Sequence, residues 1–202
     1  MRVFAYLIII LFLAVLTTLF WPIAQVEIGY FSDQIGSVKY TLEDVPYNTF
    51  VKVLRPVNTD FSIIIPKIAV IAPIIAGVDP QNEFEYLKVL KEGIAQAKDT
   101  GLPGGKGNIY LFAHSRDAFY NVAKYNTKFF LLGKLSKGDE IFIYYKGRRF
   151  KYVVDEVKVI SPDEVNYSAG SPDKNTLTLQ TDYPPGMLFG RLIVTADEVG
   201  MQ

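Results

Sequence analysis

Leu177-Thr178-Leu179-Gln180-Thr181-Asp182, then Tyr183-Pro184-Pro185-Gly186, then Arg191-Leu192-Ile193-Val194, decide how this chain is read. Residues 176–181 and 191–196 are rich in β-branched and aliphatic side chains, and the segment between them carries turn residues, so the stretch predicts two strands joined by a loop. Asp182 suits the start of that loop, because its side chain can bond nearby backbone amides.

Upstream, residues 140–145, Lys146-Gly147 and residues 148–160 predict a β-hairpin with alternation on both arms. Residues 108–112 read as a strand leading into His114, the only histidine. Residues 61–66 and 67–71 are isoleucine-rich and interrupted by prolines, which predicts short strands with proline at an edge or bulge. Asp79-Pro80 predicts a helix start, with Phe84, Leu87 and Leu90 on one face and Gly93 as the stop. A short helical patch is expected around residues 129–135. Many strands, few helices and no βαβ alternation predict a mainly antiparallel barrel or sandwich. The loop at residues 101–107 lacks the glycine spacing and the Ser or Thr of a phosphate loop, which argues against nucleotide binding.

The 202 residues carry a formal net charge of zero, which argues against nucleic acid as a partner, since backbone binding needs surplus Lys and Arg. There is no cysteine, so disulfides, thiolate metal sites and cysteine nucleophiles are excluded together. With one histidine, a metal site needs a nearly all-carboxylate shell, and no such cluster is evident; neither metal nor cofactor is expected.

Residues 3–24 are uncharged and apolar apart from Thr17 and Thr18, long enough at about 1.5 Å per residue to cross a hydrocarbon core near 30 Å. They are read as a single transmembrane helix. Arg2 on one flank, against Glu27 and Asp33 on the other, predicts a cytoplasmic N-terminus and an extracytoplasmic domain. The expected organisation is an anchor over residues 1–24, a connector over 25–60 with some strand character, and one globular domain over 61–202.

These blocks together resemble the sortases, membrane-anchored cysteine transpeptidases. The resemblance rests on Ile65-Pro66-Lys67-Ile68, Gly77-Val78-Asp79-Pro80, Leu102-Pro103-Gly104-Gly105-Lys106-Gly107-Asn108, His114-Ser115, Lys137-Gly138-Asp139-Glu140-Ile141 and the segment from Asp182 to Arg191. It implies a mainly β fold, an eight-stranded β-barrel with short helices. It also implies a catalytic trio of His114, Asp182 and Arg191, with His114 ending one strand, Asp182 ending the next to last and Arg191 beginning the last. Thr181, Tyr183, Met187 and Leu188 are the implied substrate-binding residues. The loop over residues 183–190 would cover the groove, and residues 161–175 would line its other wall.

In the resemblance, Asp182 stands where sortases carry the nucleophilic cysteine. An aspartate preserves a negative charge beside His114, and at about 4–6 Å such a charge favours imidazolium. Attack on an amide by a carboxylate leads to a mixed anhydride, a far more activated acyl donor than the amide itself. Three functions therefore follow: a sortase-like domain that binds sorting-signal peptides without transpeptidation; a slow peptidase with Asp182 as general base and His114 as acid; or an active transpeptidase in the natural protein, with aspartate substituted for its cysteine. The first is the reading adopted.

Overall fold

A computed structural model describes residues 2–43, 50–113, 129–164, 174–185 and 189–201. Ten strands and two α-helices organise them: α1 (Arg2–Ile35), β1 (Lys39–Thr41), β2 (Val51–Val53), β3 (Phe61–Ile65), β4 (Val70–Val78), α2 (Glu83–Glu92), β5 (Ile94–Ala97), β6 (Gly107–Phe112), β7 (Glu140–Tyr145), β8 (Arg148–Ile160), β9 (Asn175–Tyr183) and β10 (Gly190–Met201). Eight strands close into a barrel in the order β10-β8-β7-β3-β4-β5-β6-β9. The barrel was legible in the sequence as a class, and closure leaves it no open sheet edge.

The β7–β8 hairpin forms with the expected two-residue turn. Tyr145 opposes Arg148, and Lys146 and Gly147 both take positive φ, 49° and 78°. That geometry matches the twist of the flanking strands. The turn is pinned to the preceding segment, since Lys146 N–H donates to Asp60 O and Gly147 N–H to Thr59 O.

Three local expectations are revised. First, β4 and β5 are parallel, with α2 as the crossover between them, so the fold does contain a βαβ unit. Its signal is faint because β5 has only four residues and follows Gly93 directly. Gly93 is required there: a Cβ on it would lie 2.6 Å from Pro73 O. Second, α2 begins at Glu83 instead of at Asp79-Pro80, because Asp79 closes a turn of its own by accepting from Gln81 N–H. Asn82 then caps the helix by accepting from Glu85 N–H. Leu90 is buried and Leu87 packs against the core as expected, Tyr86 joins them, and Phe84 is left 88 % exposed. Third, around residues 129–135 the described helical piece is a 3-10 turn, Leu132–Lys134.

The described part of the connector is more ordered than its composition suggests. Helix α1 runs on to Ile35, bent by 59° between residues 4–18 and 23–35. Pro22 lies at the bend and has no N–H to give to residue 18. Neither arm is by itself long and apolar enough to cross a membrane, although the bent pair together passes on length and composition. The second arm holds because Val26 and Tyr30, one turn apart, pack on the barrel core, and Glu27 pairs with Lys134 at 3.0 Å. Beyond it, β1 and β2 form a small parallel sheet. Lys52 reaches back to Asp33 at 2.9 Å.

The barrel interior is apolar. Ile63, Ile65, Leu111, Ile141, Ile143, Leu177, Leu179 and Val194 are fully buried in one cluster. Along β9 and β10 the alternation is regular: Leu177, Leu179, Leu192, Val194 and Ala196 face this core, so Thr178, Gln180, Asp182, Arg191 and Ile193 lie on the outer face.

Candidate functional site

Strand alternation and register assemble the site on the outer face of β6, β9 and β10. Asp182, next to last in β9, is directly opposite Arg191, the second residue of β10. Two residues nearly ten apart in sequence thus become cross-strand neighbours, with Cβ atoms about 4.5–5.5 Å apart for such a pair. Asp182 is 4 % exposed and Arg191 is half-buried.

On the other side of β9, β6 runs parallel, with Phe112 level with Gln180. Ala113 N–H donates to Gln180 O at 3.1 Å, so β6 is held against β9 up to the residue before His114. His114, Met187 and Leu188 lie outside the described residues, as do residues 165–173 of the expected groove wall. Tyr183 ends β9 opposite Gly190, partly exposed. Thr181 is buried opposite Leu192, on the strand face of Leu177 and Leu179, so its side chain is directed away from the face that carries Asp182.

Polar residues continue along the outer face below Asp182. The Tyr110 hydroxyl donates to Gln180 Oε1, and Thr176 and Thr178 donate to Asn108 Oδ1 at 3.0 and 3.1 Å. Burial pushes the Tyr110 phenol up to about 12, an effect that the nearby Arg191 guanidinium opposes. The hydroxyl is therefore protonated at neutral pH and serves as a donor. Motif reading passes over Tyr110 and Gln180, although the signal is present: Gln180 is two residues before Asp182, and a period of two puts both on one face. Among the described residues, no group of three or more His, Asp or Glu is placed to hold a metal ion.

A closed eight-stranded barrel with a carboxylate and a guanidinium paired on its last two strands is the frame that the sequence blocks implied. The family model for the sortase domain matches residues 63–199. The chain belongs to the sortase family. It is 30 % identical over 120 residues to Sortase D of Bacillus subtilis (strain 168), covering 59 % of this chain and 52 % of that protein. To Sortase A of Bacillus anthracis it is 29 % identical over 138 residues, covering 67 % of this chain and 58 % of that one. The chain spans about half the length of the curated relatives it matches.

Solved sortases share the architecture. A Clostridium perfringens Sortase D5 transpeptidase superposes with a TM-score of 0.58 at 30 % identity, over 70 % of this chain and 79 % of that one. Sortase A from Corynebacterium diphtheriae gives 0.59 at 31 % identity, over 75 % and 64 %. The chain has no cysteine, so no residue of it can supply a thiolate.

Proposed function

We propose that this sortase-family chain is a membrane-anchored, extracytoplasmic domain that binds sorting-signal-type peptides of surface proteins and does not transfer them, because Asp182 stands at the nucleophile's position. The observation that carries this reading is the cross-strand pair of Asp182 and Arg191 in a cysteine-free sortase barrel. A guanidinium beside the site offers planar donors for a peptide carbonyl or carboxylate. A carboxylate there is a poor nucleophile toward an amide, and the anhydride it would form lies uphill of the amide consumed. Binding survives this exchange while acyl capture does not.

Binding is tested with the full chain in detergent micelles and a positional library of fluorescent, N-acetylated pentapeptide amides. Saturable binding without cleavage is expected, and Arg191→Ala should weaken it roughly ten- to a hundredfold, the range for losing a charge-assisted hydrogen bond. Turnover of the library by the unaltered chain, or an Arg191→Ala variant that binds as well as the parent, would contradict the reading.

Support for the anchor comes from the uncharged apolar run of residues 3–24 and from the bent helical pair that passes on length and composition. The absence of native cysteine makes its orientation easy to test. Lys137 has a side chain 78 % exposed on the barrel, so Lys137→Cys should react with a membrane-impermeant maleimide on intact cells. Labelling only after lysis reverses the assigned orientation.

A further inference from the structure

Gln180 is 5 % exposed, yet only one end of its carboxamide is used. Oε1 accepts the Tyr110 hydroxyl, and among the described residues no other hydrogen bond to the side chain is made. Among the described residues its two N–H donors thus have no partner, and a buried donor left unmet forfeits the hydration it had in the unfolded chain. A buried donor of this kind calls for a partner beyond the described residues.

The placement indicates which partner. Gln180 and Asp182 are alternate residues of β9, about 6.6 Å apart at roughly 3.3 Å per residue. An extended peptide has the same rise, so two of its carbonyls two residues apart match that separation. Tyr110, on the neighbouring β6 and level with Thr178, braces the carboxamide from the side away from β10.

From this geometry we infer that Gln180 is a peptide-binding residue: Tyr110 holds its Oε1, and its Nε2 donates to a main-chain carbonyl two residues from the one that accepts from Arg191, opposite Asp182. The inference rests on the peptide-binding reading above and deepens it. A main-chain contact does not select a side chain. It sets the register, so that one particular carbonyl of a bound segment lies at Asp182 and Arg191. Gln180 touches the peptide, and Tyr110 acts through it as a positioning residue.

The probe is the tightest pentapeptide from the library, together with its backbone esters, in which each carbonyl in turn is made a weaker acceptor. With the unaltered chain, one ester should bind about five- to tenfold more weakly than the amide. Gln180→Met, near in size but without a donor, should weaken the amide peptide by a similar factor and make that ester no worse than its parent. Tyr110→Phe should weaken binding about threefold, with a correspondingly smaller ester effect. An independent readout is the side-chain amide resonance of Gln180, assigned by its absence from Gln180→Met, which should move downfield when peptide is added. Both variants should melt within a few degrees of the parent.

If Gln180→Met binds within twofold of the parent while Arg191→Ala is impaired, this inference is overturned and peptide binding stands. An ester scan unchanged in Gln180→Met overturns it in the same way. Absence of saturable binding by the unaltered chain overturns both.

Discussion

Asp182→Cys is expected to give this chain thiol-dependent cleavage of the peptides it binds, on the order of a thousandfold above the unaltered chain. The proposed reading makes the site a groove complete except for the atom that captures the acyl group. In the variant, the thiolate adds to the peptide carbonyl and the C–N bond breaks. The leaving amine takes a proton, and the thioester formed is then opened by an added amine or by water. Losing a nucleophile from such a unit costs on the order of 10⁶ in rate, and a cysteine introduced without further adjustment should recover part of that. Cysteine is smaller than aspartate, so the buried position opposite Arg191 can hold it. A fluorescence-quenched form of the bound pentapeptide, with an amine acceptor, reports the reaction, and iodoacetamide should abolish it in the variant alone, since the parent has no thiol. No cleavage by a folded, peptide-binding Asp182→Cys chain would show that position 182 is not the place from which an acyl group can be captured.

The second large effect falls on stability. Leu179 is fully buried in the barrel core, one residue before Gln180 and on the opposite face of the same strand. Leu179→Ala removes buried carbon and leaves a cavity, which costs about 2–5 kcal/mol. For a domain of this size the midpoint should fall by roughly 5–15 °C. Thermal melts of Leu179→Ala and Gln180→Met side by side separate the two faces: the first should lower the midpoint and leave the peptide affinity of the folded protein near the parent value, and the second should do the reverse. Equal loss of stability from both would mean that the outer face is packed as tightly as the interior and is not a binding surface.

Several parts of this architecture could be read from local residues. The β7–β8 hairpin was legible because Gly147, a residue that adopts positive φ freely, lies in a two-residue break between two alternating arms. The Gly93 helix stop was legible for a similar reason, a local backbone need with a local residue to meet it. The βαβ crossover and the true start of α2 were not. Strand β5 is too short to show a period, and Asp79 can equally cap a helix or close its own turn; the choice falls to the Gln81 and Asn82 contacts.

The candidate site divides along the same line. The motif blocks named Asp182 and Arg191, and the absence of cysteine restricted what chemistry could follow, because these are properties of residue identity. The second arm of α1 lay beyond such reading, since its helix depends on Val26 and Tyr30 packing on the barrel core and on Glu27 meeting Lys134, more than a hundred positions away. So did the polar rung of Tyr110 and Gln180, and the inward aim of Thr181. Which side chains share a face with Asp182 is set by barrel closure and by the parallel register of β6 on β9, interactions between segments about seventy residues apart that leave no trace in either segment alone.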